Sequence, residues 1–277
     1  MSNRAENYSR AYILRRVVFF TILCLVLAAC ATVPLTERKS LRLIPSSELL
    51  SLSDQEYTKV LKESKLSTDR GQVQMVTRVG SRIARAAEDF LKEAGAGEKV
   101  GNYRWEFNVI KDDKTANAWC MPGGKVAVYT GILPFTRTDT GLAVVLGHEV
   151  AHAIAEHGNE RMSEALLAQL GGVALSVALN EQPEETQELF MLAYGVTANL
   201  AVLLPYSRLH ENEADRIGLT LMAKAGYDPH EAVRFWEEMN EKGGSRPPAF
   251  LSTHPAPESR IEKIKTYIPE AMRYYKK

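Results

Sequence analysis

Cysteine is nearly absent from this chain: 277 residues hold three, Cys24, Cys30 and Cys120. A fold stapled by a disulfide framework is excluded at that count. Net charge is absent as well, with 34 Lys and Arg against 34 Asp and Glu. Without residues 1–29, which hold four bases and one acid, 30 stand against 33. No basic surplus remains to track a phosphate backbone, so nucleic acid is not an expected partner. Apolar runs that would cross a bilayer comfortably are lacking too. Residues 165–179 and 189–204 are notably apolar but short, and they carry Gln169, Ser176 and Asn199. They read as buried helices of the domain, with a hairpin leaning on a membrane as the alternative. No internal repeat is visible.

The N-terminus has Arg10, Arg15 and Arg16, then a thirteen-residue run, 17–29, that is apolar except for Thr21. A charged stretch followed by a short apolar one is the build of a secretory signal. The run ends in Leu27-Ala28-Ala29-Cys30, which resembles a bacterial lipobox, so Cys30 is expected to become a lipidated first residue. Several acyl chains on one cysteine anchor a protein stably. Ala31 rather than aspartate follows it, which by analogy with enterobacterial sorting points to the outer membrane, facing the periplasm. An uncleaved signal anchor is the competing reading. Cys120 would then be left alone, as a packed thiol.

The informative feature is His148-Glu149-Val150-Ala151-His152. Residues four apart on a helix lie one above the other, so His148 and His152 can share one metal ion, with the Glu149 carboxylate beside the open position. Helical spacing of apolar residues from 140 to 157, with Asp139 or Thr140 as N-cap, supports that helix. A catalytic zinc takes three protein ligands and keeps one position open. A histidine at 158 would complete a common extended pattern, but Gly158 stands there and Ala155 replaces that pattern's glycine. His157, five positions past His152, is rotated by about 140° on a continuous helix and cannot join the same ion. Downstream, acids fall at 211, 213 and 215 on another helical stretch. Glu211 and Asp215 share a face, so Glu211 can be the third ligand while Asp215 accepts the other ring N–H of a bound histidine. Glu213, about 200° away from Glu211, is expected to face elsewhere. A merely solvated acidic face is the plain alternative.

The pairing of H-E-x-x-H with Ser207-Arg208-Leu209-His210-Glu211-Asn212-Glu213-Ala214-Asp215 resembles the HtpX/BepA/LoiP-type gluzincin zinc metallopeptidase family, which has Ste-type prenyl-protease and Oma-like branches. Three further segments resemble that family: residues 117–133 (N-A-x-x-x-P-G-G-x-φ-x-V-x-x-G-φ-L, φ apolar), His157-Gly158-Asn159-Glu160-Arg161, and the T-H-P-x-x-x-x-R run from Thr253 to Arg260. The resemblance implies one zinc per chain on His148, His152 and Glu211, Glu149 as base and Asp215 behind a ligand. It implies that His254 lies near the metal, either stabilising the transition state or holding the fourth position and keeping the enzyme off. Arg208 is a candidate for stabilising the oxyanion, with a structural salt bridge as its alternative. The length suits a short bacterial lipoprotein member without C-terminal repeats.

Turn residues Pro122-Gly123-Gly124 before the alternating Val126-Ala127-Val128-Tyr129 predict a hairpin whose other arm lies near 117–121. If one arm is an edge, a polypeptide can add to it as a strand, which marks Asn117, Ala118 and Trp119 as candidate substrate contacts. An interior strand with no ligand role is the alternative. The organisation read is a signal peptide over 1–29, a lipidated tether with a short helix over 30–69, and a metallopeptidase domain over 70–277. The fold class expected is α+β, mainly α, a zincin-like domain with a small sheet beside the metal-binding helix. The expected function is a zinc-dependent endopeptidase of the bacterial cell envelope that degrades misfolded proteins, with outer-membrane assembly machinery as a candidate partner. The rival is a non-catalytic, zinc-binding, chaperone-like lipoprotein. The loop around residues 243–248 could act as a lid carrying His254, or simply connect two helices.

Overall fold

The computed structural model describes residues 30–170, 208–243 and 248–276. The expected signal segment, most of the first apolar run, all of the second and the centre of the 243–248 loop lie outside these residues. Strands β1 (Cys30–Thr32) and β2 (Lys39–Leu41) form an antiparallel pair. Helices α1 (Ser46–Glu63) and α2 (Arg70–Glu93) follow. A three-stranded sheet comes next, made of β3 (Glu106–Ile110), β4 (Ala118–Met121) and β5 (Lys125–Tyr129). A one-turn helix (Leu133–Thr136) leads into α3 (Asp139–Ile154), α4 (His157–Leu170), α5 (Arg208–Lys224), α6 (Glu231–Gly243) and α8 (Glu258–Ala271), with the short α7 (Ala249–Thr253) before the last. The expected mainly helical fold with a small sheet is what forms.

The sheet order is β3-β5-β4, so β5 is central, parallel to β3 and antiparallel to β4. The β4–β5 turn is tight because Gly123 and Gly124 both take positive φ, 77° and 80°. Pleating sends alternate side chains to opposite faces. Val109, Ala118, Cys120, Val126 and Val128 enter the main core, while Ile110, Trp119, Met121 and Ala127 enter a second one under α1 and α4. Both faces of the sheet are therefore covered, which is why every residue of β4 is buried. Cys120 is a packed, free thiol.

Helix α3 is buried on all sides, from Gly141 to Ile154. Its N-cap is Thr138, whose Oγ1 accepts from the Gly141 N–H, rather than Asp139 or Thr140. The helix also stops earlier than the apolar spacing suggested. Glu156 adopts φ 58° and the chain restarts as α4 at His157. Helices α3 and α5 cross at glycine: a Cβ on Gly218 would sit 3.0 Å from the C and O of Gly147 and from the N of His148.

Within residues 30–69, expected as a tether with a short helix, α1 is a helix, and contacts run from this segment to the domain. Tyr57 on α1 donates to the Val126 carbonyl at 2.9 Å. Arg42 reaches Glu156 at 2.6 Å and the Ala155 carbonyl at 2.9 Å, clipping the arm to the end of α3. Such long-range ion pairs leave no periodic trace in the sequence.

Gly218→Ala tests the crossing. Alanine favours a helix by about 1 kcal/mol over glycine, yet here it must push the two helix backbones apart, and overpacking of this kind costs about 1–3 kcal/mol. The unfolding midpoint should fall; an unchanged or higher midpoint would contradict so close a crossing.

Candidate metal centre

Helix α3 contributes His148 and His152 from one face, α5 contributes Glu211 from its first turn, and α7 ends where His254 begins. One ligand atom from each of these four residues lies within 4.8 Å of the others. All four are 2–3% exposed. His148 Nε2 stands 3.0 Å from His152 Nε2 and 3.1 Å from His254 Nδ1. Glu211 Oε1 is 3.0 Å from His254 Nδ1 and 3.3 Å from His152 Nε2, while Oε2 is 3.4 Å from His148 Nε2. Glu149, one residue along, has Oε1 3.3 Å from His254 Nε2.

The donors fit a divalent ion. Tetrahedral zinc with bonds of about 2.0–2.1 Å separates its ligands by roughly 3.3 Å, close to these spacings. Three imidazoles that converge ring nitrogens on each other cannot all be satisfied mutually, because a neutral ring has one donor and one acceptor. Charge agrees: Glu149, Glu211 and Asp215 are three buried carboxylates facing one guanidinium, that of Arg260. The excess of two negative charges matches zinc.

Asp215 Oδ1 lies 3.0 Å from His148 Nδ1 and turns the other ring nitrogen toward the cluster. Arg260, the last residue of the T-H-P-x-x-x-x-R run, organises both acids. Its Nε and Nη2 donate to Asp215 at 2.7 and 2.8 Å, Nη1 is 2.6 Å from Glu211 Oε2, and the guanidinium lies 4.1 Å over the Trp236 ring. The Nη1 contact is off the hydrogen-bond axis, so Glu211 Oε2 keeps an acceptor site. The signal that could have found Arg260 was its fixed offset, six residues past a histidine near the metal.

His157 sits on α4, not on a continuation of α3, and stays outside the cluster. Its Nδ1 faces His152 Nδ1 at 2.8 Å, and its Nε2 lies 3.3 Å from Glu213 Oε2. Glu213 faces away from Glu211, as its helical phase requires, and meets Arg38 and Thr36 of the N-terminal arm. Arg208 is exposed and lines a cavity of about 850 Å³ with Glu211, Leu251, Arg260 and Lys263. Strand β4 lies at the sheet edge; Asn117, just before it, accepts from the Tyr129 N–H, and Ala116 accepts from the Phe250 N–H at 2.9 Å. The Trp119 side chain belongs to the second core, away from the cluster.

The buried groups shift one another's proton affinities strongly. Burial alone would lower the His148 pKa, but Glu211 and Asp215 raise it to about 9. Burial raises Glu149 to about 8. Glu211 is held well below the usual range despite its burial, by Arg260 first and then His254 and His148. Burial lowers His254 to about 4 and His152 well below its ordinary value.

Comparison with known proteins agrees with this geometry. The model of Peptidase family M48 matches residues 77–268. The chain is 41% identical over 185 residues to a mitochondrial metalloendopeptidase, OMA1, of Schizosaccharomyces pombe, covering 65% of this chain and 52% of the relative. Human mitochondrial metalloendopeptidase OMA1 is 31% identical over 251 residues, 87% of this chain and 46% of the relative. The β-barrel assembly-enhancing protease of Escherichia coli is 28% identical over 166 residues, 57% of this chain and 33% of the relative. The chain spans about half the length, or less, of these relatives.

Because His148 must lose its proton to bind a metal, apparent zinc affinity should rise on the order of tenfold per pH unit from 6 to 8 and level off above about 9. Competition with a chromophoric chelator reads this, and a flat pH profile would contradict the assignment of His148.

Proposed function

Because this chain belongs to Peptidase family M48, we propose that it is a zinc-dependent metalloendopeptidase in which His148, His152 and Glu211 hold the ion and Glu149 moves the proton. The observation that carries this reading is the convergence of those three groups with a buried carboxylate one residue along the same helix. Bound zinc supplies Lewis acidity toward a carbonyl and lowers the pKa of water toward neutrality. Burial raises Glu149 to about 8, and the positive charge of a bound ion beside it would favour the ionised carboxylate that takes a proton and returns it to a leaving amine. Asp215 fixes the ring of His148, and Arg260 keeps both acids from turning away.

Substrate polypeptide would add along the edge strand β4 near Asn117, Ala118 and Trp119, held by main-chain bonds and so without a strict sequence requirement. Arg208, on the cavity wall beside Glu211, would meet the developing negative charge on the carbonyl oxygen. His254 would leave the cluster when substrate enters. The finer reading is an outer-membrane lipoprotein anchored at Cys30 that removes misfolded envelope proteins. Its supports are the lipobox-like Leu27-Ala28-Ala29-Cys30 and a relative named for β-barrel assembly; the similarity to mitochondrial peptidases bears on the chemistry and not on the compartment. No helix among the described residues is long and apolar enough to cross a membrane.

A second reading is a zinc-binding, chaperone-like lipoprotein without catalysis. It is favoured by the fourth side chain in the cluster, His254, because structural zinc sites are closed by four ligands.

Casein or unfolded outer-membrane protein, digested with and without a chelator, separates the two. Wild type should cleave and lose cleavage on chelation. Glu149→Gln should retain zinc while turnover falls by about 10²-fold or more. Residual wild-type-like cleavage by a folded, zinc-loaded Glu149→Gln would overturn the assignment of the base, and a wild type that binds zinc but never cleaves would favour the second reading. His254→Ala raises activity if His254 is a latch and lowers it if His254 assists the reaction.

A further inference from the structure

The N-terminal arm ends in an ion network that reaches the back of the metal site. Arg38, in the turn between β1 and β2, forks onto Glu160 of α4 at 2.6 and 2.7 Å and donates from Nε to Glu213 Oε2 at 2.7 Å. Thr36 Oγ1 donates to the other oxygen of Glu213. Glu213 in turn meets His157 Nε2, and His157 Nδ1 meets His152 Nδ1. Glu160 Oε2 lies 3.0 Å from His210 Nε2, and the His210 ring stacks on His157 with centroids 4.5 Å apart. Glu160 and Glu213 are each 5% exposed.

We infer that Arg38 is a positioning residue for the metal site, acting on His152 through Glu213 and His157, so that metal affinity depends on the docked N-terminal arm. This inference rests on the proposed reading of His148, His152 and Glu211 as ligands. A metal-bound imidazole gives its other ring N–H to an acceptor that fixes its tautomer and tilt, usually a carboxylate or a carbonyl. His148 has Asp215 for that purpose. The atom that His152 offers on its far side meets a second histidine, which can accept only if its own proton sits on the opposite nitrogen. An ionised Glu213 at Nε2 enforces that arrangement: His152 Nδ1–H donates to His157 Nδ1, and His157 Nε2–H donates to Glu213. Arg38 is what keeps Glu213 an acceptor. Its guanidinium spans Glu160 and Glu213 together, and with Thr36 it fixes the Glu213 carboxylate where His157 Nε2 meets it. Removing the shared cation would leave two buried carboxylates uncompensated and free to turn from the relay. The arm is also held in an unfavourable backbone, with φ of 68° at Leu35 and 55° at Glu37, a conformation that persists only where contacts enforce it.

The test uses the full chain and compares wild type, Arg38→Gln, Arg38→Lys, Arg216→Gln and His148→Ala. Arg216 forks onto Glu270 at 2.8 and 2.9 Å from α5, so its loss removes a comparable ion pair that leads nowhere near His157. Zinc affinity by chelator competition and the visible absorption spectrum of the cobalt-loaded protein are the readouts. Expected are a roughly 10- to 100-fold weaker affinity and an altered cobalt spectrum for Arg38→Gln, partial recovery with Arg38→Lys, and no change with Arg216→Gln. Wild-type affinity and spectrum in folded Arg38→Gln would overturn the inference, as would an equal loss in Arg216→Gln. Should Arg38→Gln not fold, Glu213→Gln carries the same test at constant volume, with the same expected loss and the same contrary result. If His148→Ala binds zinc as well as wild type, the ligand assignment itself has failed and the inference falls with it.

Discussion

The site exists because α3 and α5 approach each other backbone to backbone at Gly147 and Gly218. Gly147 precedes His148, the first histidine of the cluster, and Gly218 lies one turn beyond Asp215. Any side chain at either position would hold the helices apart, and the span from imidazole to carboxylate leaves little room for that. His148 and Glu211 come from segments 63 residues apart in sequence, and the crossing alone brings their side chains within 3.4 Å. The apolar stretch of α3 from Gly141 to Gly147 follows from the same constraint: a helix enclosed there by α2, α5, α6 and the sheet has no solvent face to spend on polar residues.

Around that crossing the chain buries more negative charge than its own cations offset. Uncompensated buried carboxylates are costly, and a buried ion pair is weak evidence for stability by itself. Arg260 limits the cost by serving two acids at once while its flat face rests on Trp236. What is left is a concentrated negative charge suited to a divalent cation, and the same field raises His148 to about 9. The same polarity recurs on the far side of His152, where Arg38 serves Glu160 and Glu213. His148 is thus backed directly by Asp215, and His152 through His157 by Glu213, and each of these acids is held by an arginine from a distant part of the chain.

Much of this was legible in the sequence, for a physical reason: helical phase is periodic. The four-residue spacings of His148 with His152 and of Glu211 with Asp215 announced which faces converge, and turn glycines announced the β4–β5 hairpin. What was not legible is aperiodic. The left-handed Glu156 breaks the helix between His152 and His157, so a rotation computed along one continuous helix did not apply to His157. Arg260 and Arg38 act across 45 and 175 residues of sequence respectively, and an arginine carries no local mark of the acid it will meet. The contacts that tie the 30–69 segment to the domain were not legible for the same reason, since Arg38, Arg42 and Tyr57 find their partners far along the sequence.

Zinc content and zinc K-edge X-ray absorption of the purified full chain test the central claim most directly. The account predicts one zinc per chain with a first shell of nitrogen and oxygen only, at about 2.0–2.1 Å, including imidazole scattering from His148 and His152. A metal-free protein, or a shell containing sulfur at about 2.3 Å from Cys120, would contradict it.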